Sequence, residues 1–347
     1  MVFLRQAETF LSLRCYMRQD STYMSSNEFI AMKNSTKLTT SLLAWYRVHK
    51  RVLPWRTENP DPYSVWLSEI MLQQTTVPVV GPYFEAFMRR WPTLADLAAA
   101  DLDEVLHAWQ GLGYYARARR LHKCAQVITS EYGGRFPDTE KELVTLPGIG
   151  AYTAAAIAAI AFGHASAPVD GNIVRVISRL LLLQTPLPGL RHEVCRVLPP
   201  LIPAHRPGDM VQSLMDLGSA ICKPGKPLCE RCPWGAMCAA LKAGMAEQLP
   251  VKAAKKSKPT RHGIVFWTES AEGLILLRRR PEEGLLGGMM EIPSTQWREK
   301  DWDLEEAIRQ APVLANWRAM PGTIRHTFTH FHLSLSVLCG HSQQKSV

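Results

Sequence analysis

The sequence predicts a multidomain chain: a larger all-α domain, then a smaller α+β domain behind a basic linker. Three observations carry this. Apolar residues recur at helical spacing from Leu38 onward, four of the eight cysteines bunch between Cys222 and Cys238, and beyond His262 the pattern changes to short β-runs. At 347 residues the chain can hold two separate cores. The expected division is a tail over 1–37, an all-α domain over 38–247, a linker over 248–262 and the α+β domain over 263–347.

Lys and Arg number 40 against 31 Asp and Glu, a net charge of +9. That balance favours a polyanionic partner such as nucleic acid. No apolar run is long enough to span a bilayer, so no membrane association is expected. The opening MVFLRQAETFLSLRCYM is interrupted by Arg5 and Glu8 and lacks a small-residue cleavage site, so it does not read as a signal peptide. Bunched cysteines in a chain of this kind suggest metal or cluster ligation in a reducing, cytoplasmic compartment.

Taken in order, residues 1–37 show no sustained periodicity and read as a tail compatible with disorder. From Leu38 a helix carries Leu42, Leu43 and Tyr46, and it should stop near RVLPWR (51–56), where Pro54 disfavours helix for the residue before it. The next helix, PYSVWLSEIMLQQT (62–75), contains Glu69 with Val65, Trp66, Leu72 and Gln73 as its same-face neighbours. A carboxyl group among apolar side chains faces the core or a cleft. There desolvation raises its pKa and makes it an acid usable near neutrality. The alternative is a helix-edge glutamate paired with a basic residue. Short helices are expected over Tyr83–Trp91, Leu94–Ala100 and Leu102–Trp109.

GLGYYARARRLHKCA (111–125) then leads from a glycine turn into a helix bearing Arg117, Arg119, Arg120 and Lys123. Tyr114 and Tyr115 beside that basic face would stack on bases, unless one of them is core. LPGIG (146–150) is a turn between helices expected over Glu140–Leu146 and Tyr152–Phe162. Its Gly148 and Gly150 permit positive φ and close backbone approach. The following helix offers free N–H groups to a phosphate, and its Ala154, Ala155, Ala158 and Ala159 allow close packing. Asp170 stands where a helix N-cap belongs. Capping is its default role, but the run Asp170-Gly171-Asn172 also sets a carboxylate and an amide side by side.

The spacing Cys222-x6-Cys229-x2-Cys232-x5-Cys238 encloses one metal centre with no histidine. A structural zinc usually shows two Cys-x-x-Cys knuckles and this run has one, so an iron–sulfur cluster fits better. Lys223 and Lys226 lie on the glycine–proline loop between the first two cysteines and would meet phosphates. Pro250–His262 is lysine-rich and lacks hydrophobic pattern, as a linker does. Beyond it, strands are expected over Gly263–Thr268, Leu274–Arg278 and Phe331–Cys339, with a helix near Leu304–Gln310.

Over about residues 38–340 the chain resembles adenine DNA glycosylases of the MutY type, within the helix-hairpin-helix superfamily that includes endonuclease III. The carriers are RVLPWR, PYSVWLSEIMLQQT, GLGYYARAR, LPGIGAYTA, VDGN and the four-cysteine run. The resemblance implies an all-α helix-hairpin-helix glycosylase domain with a [4Fe–4S] cluster subdomain held by Cys222, Cys229, Cys232 and Cys238, plus a C-terminal α+β Nudix-like domain. It implies removal of adenine mispaired with 8-oxoguanine or guanine from double-stranded DNA, by flipping the base out. Glu69 would protonate the leaving adenine and help activate water, and Asp170 would stabilise the positive sugar. Asn172 and Tyr152 would support that centre. Arg51, Leu53 and Arg56 would line the adenine pocket, Gln74 and Tyr114 would intrude into the base stack, and Gly148 and Gly150 would hold the backbone.

The chemistry fits those roles. An oxocarbenium-like transition state needs an acid on the leaving group and an anion near the sugar, and two carboxylates in different environments can divide the work. Lyases of the endonuclease III kind carry a lysine where Tyr152 stands here. Without that amine the Schiff-base route lacks its nucleophile, and a monofunctional glycosylase is expected.

In the C-terminal domain, LLLRRRPEEGLLGGMMEIP (275–293) lacks the Gly-x5-Glu spacing of a Nudix box, so nucleotide hydrolysis is not expected. The family reads oxidised guanine with a Phe-Ser-His loop, matched here by Phe328, Thr329 and His330. Threonine keeps the hydroxyl but adds a methyl group and restricts the rotamers. The alternative is an aromatic-rich strand end. Two other functions stay open: a related glycosylase acting on thymine or uracil opposite guanine, and a catalytically silent iron–sulfur protein that binds DNA. A monomer is expected.

Overall fold

The computed structural model describes residues 25–252, 257–281 and 284–342. Its contacts divide the chain into two compact units, Met1–Ala253 and Ala254–Val347. Part of the expected tail is helical. α1 (Ser26–Lys33) begins at a capping box in which Ser25 and Glu28 exchange hydrogen bonds, and α2 (Ser35–His49) starts before Leu38. Residues 1–24 lie outside the described residues. The mixture of polar and apolar residues hid α1, whose buried side includes Ala31 and the carboxylate of Glu28, which Arg196 pairs at 2.5 Å.

Next come α3 (Pro62–Leu72), α4 (Val77–Arg90), α5 (Leu94–Ala99), α6 (Leu102–Ala108) and α7 (Ala116–Glu131). Side-chain caps open α3, α5 and α6: Asp61 accepts from the Ser64 N–H, Thr93 from Asp96, and Asp101 from Asp103. The short α8 (Glu140–Leu143) precedes the hairpin turn, which leads into α9 (Ala151–Ile160) and α10 (Gly171–Leu181). α11 (Gly189–Val197), α12 (Pro207–Ala220) and α13 (Ala239–Lys242) complete the unit. α11 and α12 have no counterpart among the elements expected from the sequence.

Two cores flank the hairpin helix. The first gathers Trp66, Met71, Phe87, Trp109, Leu121 and Ile128 with Ala154, Ile157 and Ala158 of α9. The second gathers Leu38, Leu42, Ile173, Ile177, Leu214, Leu217 and Trp234 with Ala159 of the same helix. A helix buried on both sides needs small residues wherever its neighbours approach, which is why α9 is alanine-rich rather than amphipathic.

In the second unit β1 (Thr260–Ser270) pairs in parallel with β6 (His332–Ser342) over 11 residue pairs, from Thr260↔His332 to Ser270↔Ser342. Between them in sequence lie β2 (Arg278–Arg279), β3 (Met290–Glu291), α14 (Leu304–Ile308), β4 (Arg318–Ala319) and β5 (Ile324–Thr327). β4 and β5 both pair antiparallel with β6, while β2 and β3 form a separate ribbon. Leu274–Arg278 is therefore mostly not strand; it contributes a bridge from Ile275 to Glu269 and the first residue of β2. Phe266, Ile264, Leu338 and Ala307 make this unit's core.

Candidate active site and cysteine cavity

Glu69 sits on α3 with only 7% of its surface exposed, on the same helix as the fully buried Trp66 and Met71. It is not a helix-edge glutamate. Burial pushes its carboxyl from 4.5 to about 7, the nearby charge of Asp170 adds to that rise, and a Tyr152 hydrogen bond and the Arg56 charge oppose it. The same environment drives the Tyr152 hydroxyl well above its ordinary range, chiefly through burial and then through the Glu69 and Asp170 charges.

A cavity opens beside Glu69, lined among others by Arg51, Leu53, Trp55, Arg56, Gln212 and Met215. The RVLPWR segment reaches it by alternation. Arg51, Leu53 and Trp55 turn inward while Val52 between them is 98% exposed. The predicted pocket residues are thus brought to the predicted acid.

What holds the two arginines escaped the sequence reading. Asp216 of α12 is wholly buried and accepts from Arg51 Nε at 2.6 Å, the Arg51 backbone N–H at 3.2 Å, and Arg56 Nη1 and Nη2 at 2.6 and 3.0 Å. Four donors on one carboxylate satisfy its oxygens and offset the desolvation of Asp216. The available signal was an acid inside the apolar run VQSLMDLGSAI, with no basic residue in that run to pair it.

Asp170 does cap α10: its Oδ1 accepts from the Ile173 N–H at 2.7 Å, and its Oδ2 accepts from Asn172 Nδ2 at 2.8 Å. Capping does not compete with a functional role, because a helix start favours a negative charge there. Arg175 Nη2 donates to Asn172 Oδ1 at 2.9 Å and to the Gly218 carbonyl at 2.7 Å. α12 comes so close that a Cβ on Gly218 would lie 2.6 Å from Asn172 Cβ. Asn172 is held from two sides.

The hairpin corrects one expectation. Gly148 has φ +79°, and a Cβ there would lie 2.9 Å from Arg120 Cβ, so both backbone and space require glycine. Gly150 does not use positive φ; it is the N-cap of α9 at φ −91° with open space where a side chain would stand. Its value lies in leaving the first N–H groups of α9 uncovered.

Gln74 and Tyr114 are both exposed, and both adopt left-handed backbone at φ 59° and 50°. Non-glycine residues seldom do so, and such strain concentrates at functional positions. Tyr115 instead packs against the first core, and Arg117 turns inward, away from the expected basic face.

Cys222, Cys229, Cys232 and Cys238 line one cavity together with Val176, Leu180, Leu217 and Trp234. Arg179 of α10 donates to Cys222 Sγ at 3.3 Å, and Arg175 donates to the Cys222 carbonyl at 2.7 Å. Among the described residues no group of His, Cys, Asp or Glu is placed to hold a single metal ion. Lys223 and Lys226 are exposed on the loop that leaves Cys222.

In the second unit Phe328, Thr329 and His330 form the turn between β5 and β6, closed by Phe328 N–H donating to the Phe331 carbonyl at 2.9 Å. Thr329 and His330 are exposed, whereas Phe328 is backed by Trp297 and Phe331 with ring centroids at 6.1 and 4.9 Å. This is a presented hairpin tip rather than a plain strand end.

A family model described as "HhH-GPD superfamily base excision DNA repair protein" matches residues 67–200, and a NUDIX domain model matches residues 264–347. The mouse protein named adenine DNA glycosylase is 34% identical, with 89% of this chain and 71% of that protein covered. Its namesake from Buchnera aphidicola (Acyrthosiphon pisum) is 39% identical, covering 85% and 84%. The chain belongs to the adenine DNA glycosylase family.

The human adenine DNA glycosylase is 36% identical, and the alignment takes in 87% of this chain but 66% of the human protein's length. Among solved structures, a thermostable thymine-DNA glycosylase is 30% identical with a TM-score of 0.54, covering 61% of this chain and 98% of that one. A non-covalent endonuclease III–DNA complex, at 23% identity and TM-score 0.52, shares the fold over 64% of this chain. In this adenine DNA glycosylase family member, the first family match spans Glu69, the hairpin and Asp170, while Arg51, Leu53 and Arg56 lie before it.

Proposed function

We propose that this chain excises adenine mispaired with 8-oxoguanine or guanine from duplex DNA, leaving an abasic site and an intact strand. One observation carries the reading: Glu69, buried beside the cavity that Arg51, Leu53 and Arg56 line, has a carboxyl raised to about 7 while Tyr152 and Asp170 act on it. A carboxyl group in that range can hold a proton at neutral pH and give it up. In the proposed step the bond from sugar C1′ to adenine breaks with its electron pair going to the base. Glu69 supplies the proton that the base takes up at a ring nitrogen. Water then adds its hydroxyl to C1′ and returns its remaining proton to Glu69. The Asp170 carboxylate stabilises the cationic sugar between those events.

Tyr152 engages Glu69 by hydrogen bond and carries no amine, which supports hydrolysis without strand cleavage. The four thiols of Cys222, Cys229, Cys232 and Cys238 lining one cavity are the donor set that a [4Fe–4S] cluster takes. Bound there, the cluster would tie the 222–238 segment to α10 and present Lys223 and Lys226 to phosphates. Thr329 and His330, exposed at their turn, would read the oxidised guanine. We place the protein on DNA in the cytoplasm as a monomer.

A duplex panel tests this: single-turnover release of base from A·8-oxoguanine, A·G, T·G and U·G. Adenine release without strand scission is expected, with A·8-oxoguanine fastest. Excision of thymine or uracil in place of adenine overturns the specificity, and efficient scission without alkali overturns the monofunctional assignment. DNA binding and cluster absorbance with no base release would leave a silent binding protein. Visible absorption with about four irons per chain would support the cluster.

A further inference from the structure

Arg117 was expected on a phosphate-facing surface. Instead its guanidinium spans two turns. Nη1 donates to the carbonyls of Ile70 and Met71 at 2.9 Å each, the last turn of the helix that carries Glu69. Nη2 donates to Thr75 Oγ1 at 3.2 Å and to the carbonyls of Leu112 and Gly113 at 3.1 and 3.3 Å. The contacts to Met71 and Thr75 bracket Gln74, and those to Leu112 and Gly113 run up to Tyr114. Gln74 and Tyr114 are two of the five non-glycine residues at positive φ among those described, and the guanidinium also lies 5.6 Å from the Tyr114 ring centroid.

We propose that Arg117 is a positioning residue that fixes Gln74 and Tyr114 as one rigid unit facing the DNA. Two exposed residues in strained backbone persist only where their surroundings over-determine them. Here one side chain supplies that constraint to both, donating to four backbone carbonyls across the two turns. A side chain that intrudes into a base stack must resist being pushed back. Two such residues tied to the end of the Glu69 helix would couple unstacking of the base to placement of the acid. The proposal rests on the glycosylase reading, because it takes the role of Gln74 and Tyr114 from that reading.

Double-mutant coupling separates a shared unit from mere stability. The probe is fluorescence of 2-aminopurine replacing the adenine opposite 8-oxoguanine, which rises when the base leaves the stack. Arg117→Met and Tyr114→Ala should each reduce the protein-induced rise at least fivefold, and the double variant should be no worse than either. Losses that multiply, or an Arg117→Met rise within twofold of wild type, overturn the proposal. Arg117→Lys provides a variant that keeps charge and bulk but cannot reach five acceptors. In that protein, amide hydrogen exchange over 72–76 and over 112–116 should accelerate together, at least tenfold. Acceleration in one segment alone, or in neither, also overturns it. A wild type that never unstacks the base, with the two segments still coupled in exchange, would count against the glycosylase reading and leave the clamp standing.

Discussion

Tyr152 and Glu69 set one another's proton affinity, the Tyr152 hydroxyl holding the Glu69 carboxyl down and the Glu69 charge raising the Tyr152 hydroxyl, which links the first turn of the hairpin helix to the buried acid of α3. The hairpin therefore does more than face a phosphate backbone: the element that would grip DNA also tunes the proton that the chemistry needs. Gln73 Nε2 reaches Thr153 Oγ1 at 3.4 Å and ties the same two helices together once more.

Glu69→Gln should abolish excision while making the protein more stable at neutral and higher pH. The folded carboxyl is raised from 4.5 to about 7, so the native state holds its proton more tightly than the unfolded chain does. That stabilising contribution is fully present below pH 4.5 and is lost as pH rises through 7. The loss amounts to roughly 3 kcal/mol, which the glutamine variant does not suffer. Urea unfolding at pH 5 and pH 8 reads the difference, and the gap between variant and wild type should widen at pH 8. Single-turnover excision should fall at least about 100-fold in the variant.

For the wild type, the excision rate should decline as pH rises through about 7, because only protonated Glu69 is an acid. Tyr152→Phe removes the hydrogen bond that pulls this pKa down. The variant's descending limb should therefore move to higher pH even if its maximum rate falls. A limb that stays put or moves lower in single-turnover profiles would contradict the role given to Tyr152.

The carboxylates, the four cysteines and the hairpin were legible because each is a short motif whose chemistry survives without coordinates. Asp216 and Arg117 were not, because their roles depend on partners distant in the chain: 165 and 160 residues separate Asp216 from Arg51 and Arg56. α12 carries Met210, Val211, Leu214 and Leu217 at helical spacing, but the buried Ser213 and Asp216 interrupt that pattern in sequence. α1 was missed because its apolar Phe29, Ile30 and Met32 point outward while Glu28 is buried. Gly150 was misjudged because sequence cannot distinguish a glycine needed for φ from one needed for empty space.

That distinction can be measured. Gly148→Ala should destabilise the protein by about 1–2 kcal/mol through left-handed strain, with added cost from the Arg120 contact. Gly150→Ala should leave stability within about 0.5 kcal/mol, since its φ of −91° suits any residue and nothing lies within 4 Å of the new methyl group. Its effect should appear in affinity for duplex DNA, several-fold weaker by fluorescence anisotropy, where the phosphate meets the start of α9.

Asp216→Asn should cost about 3 kcal/mol in urea unfolding. The substitution leaves two arginines around a buried neutral amide that cannot match four donors. Excision should drop too, because Arg51 and Arg56 line the cavity beside Glu69. Restoring stability with a bound duplex without restoring the rate would assign the carboxylate to the pocket as well as to the fold.

Trp297→Ala should lower discrimination between A·8-oxoguanine and A·G. In the second unit Arg280 lies over Trp297 at 5.1 Å, Trp297 stacks on Phe328, Phe328 on Phe331, and Arg261 covers Phe331 at 4.6 Å. Lys258 Nζ adds a bond to the Phe328 carbonyl at 3.0 Å. This column fixes the turn that holds Thr329 and His330 in solvent, and an aromatic pair is worth about 1 kcal/mol beyond the area it buries. Removing the Trp297 ring should therefore weaken preference for the oxidised duplex by roughly fivefold, with A·G excision little changed, because Glu69 and Asp170 lie in the other unit. Trp297→Phe should retain most of the preference. Equal losses on both duplexes for the alanine variant would mean that the column supports the domain as a whole rather than the tip.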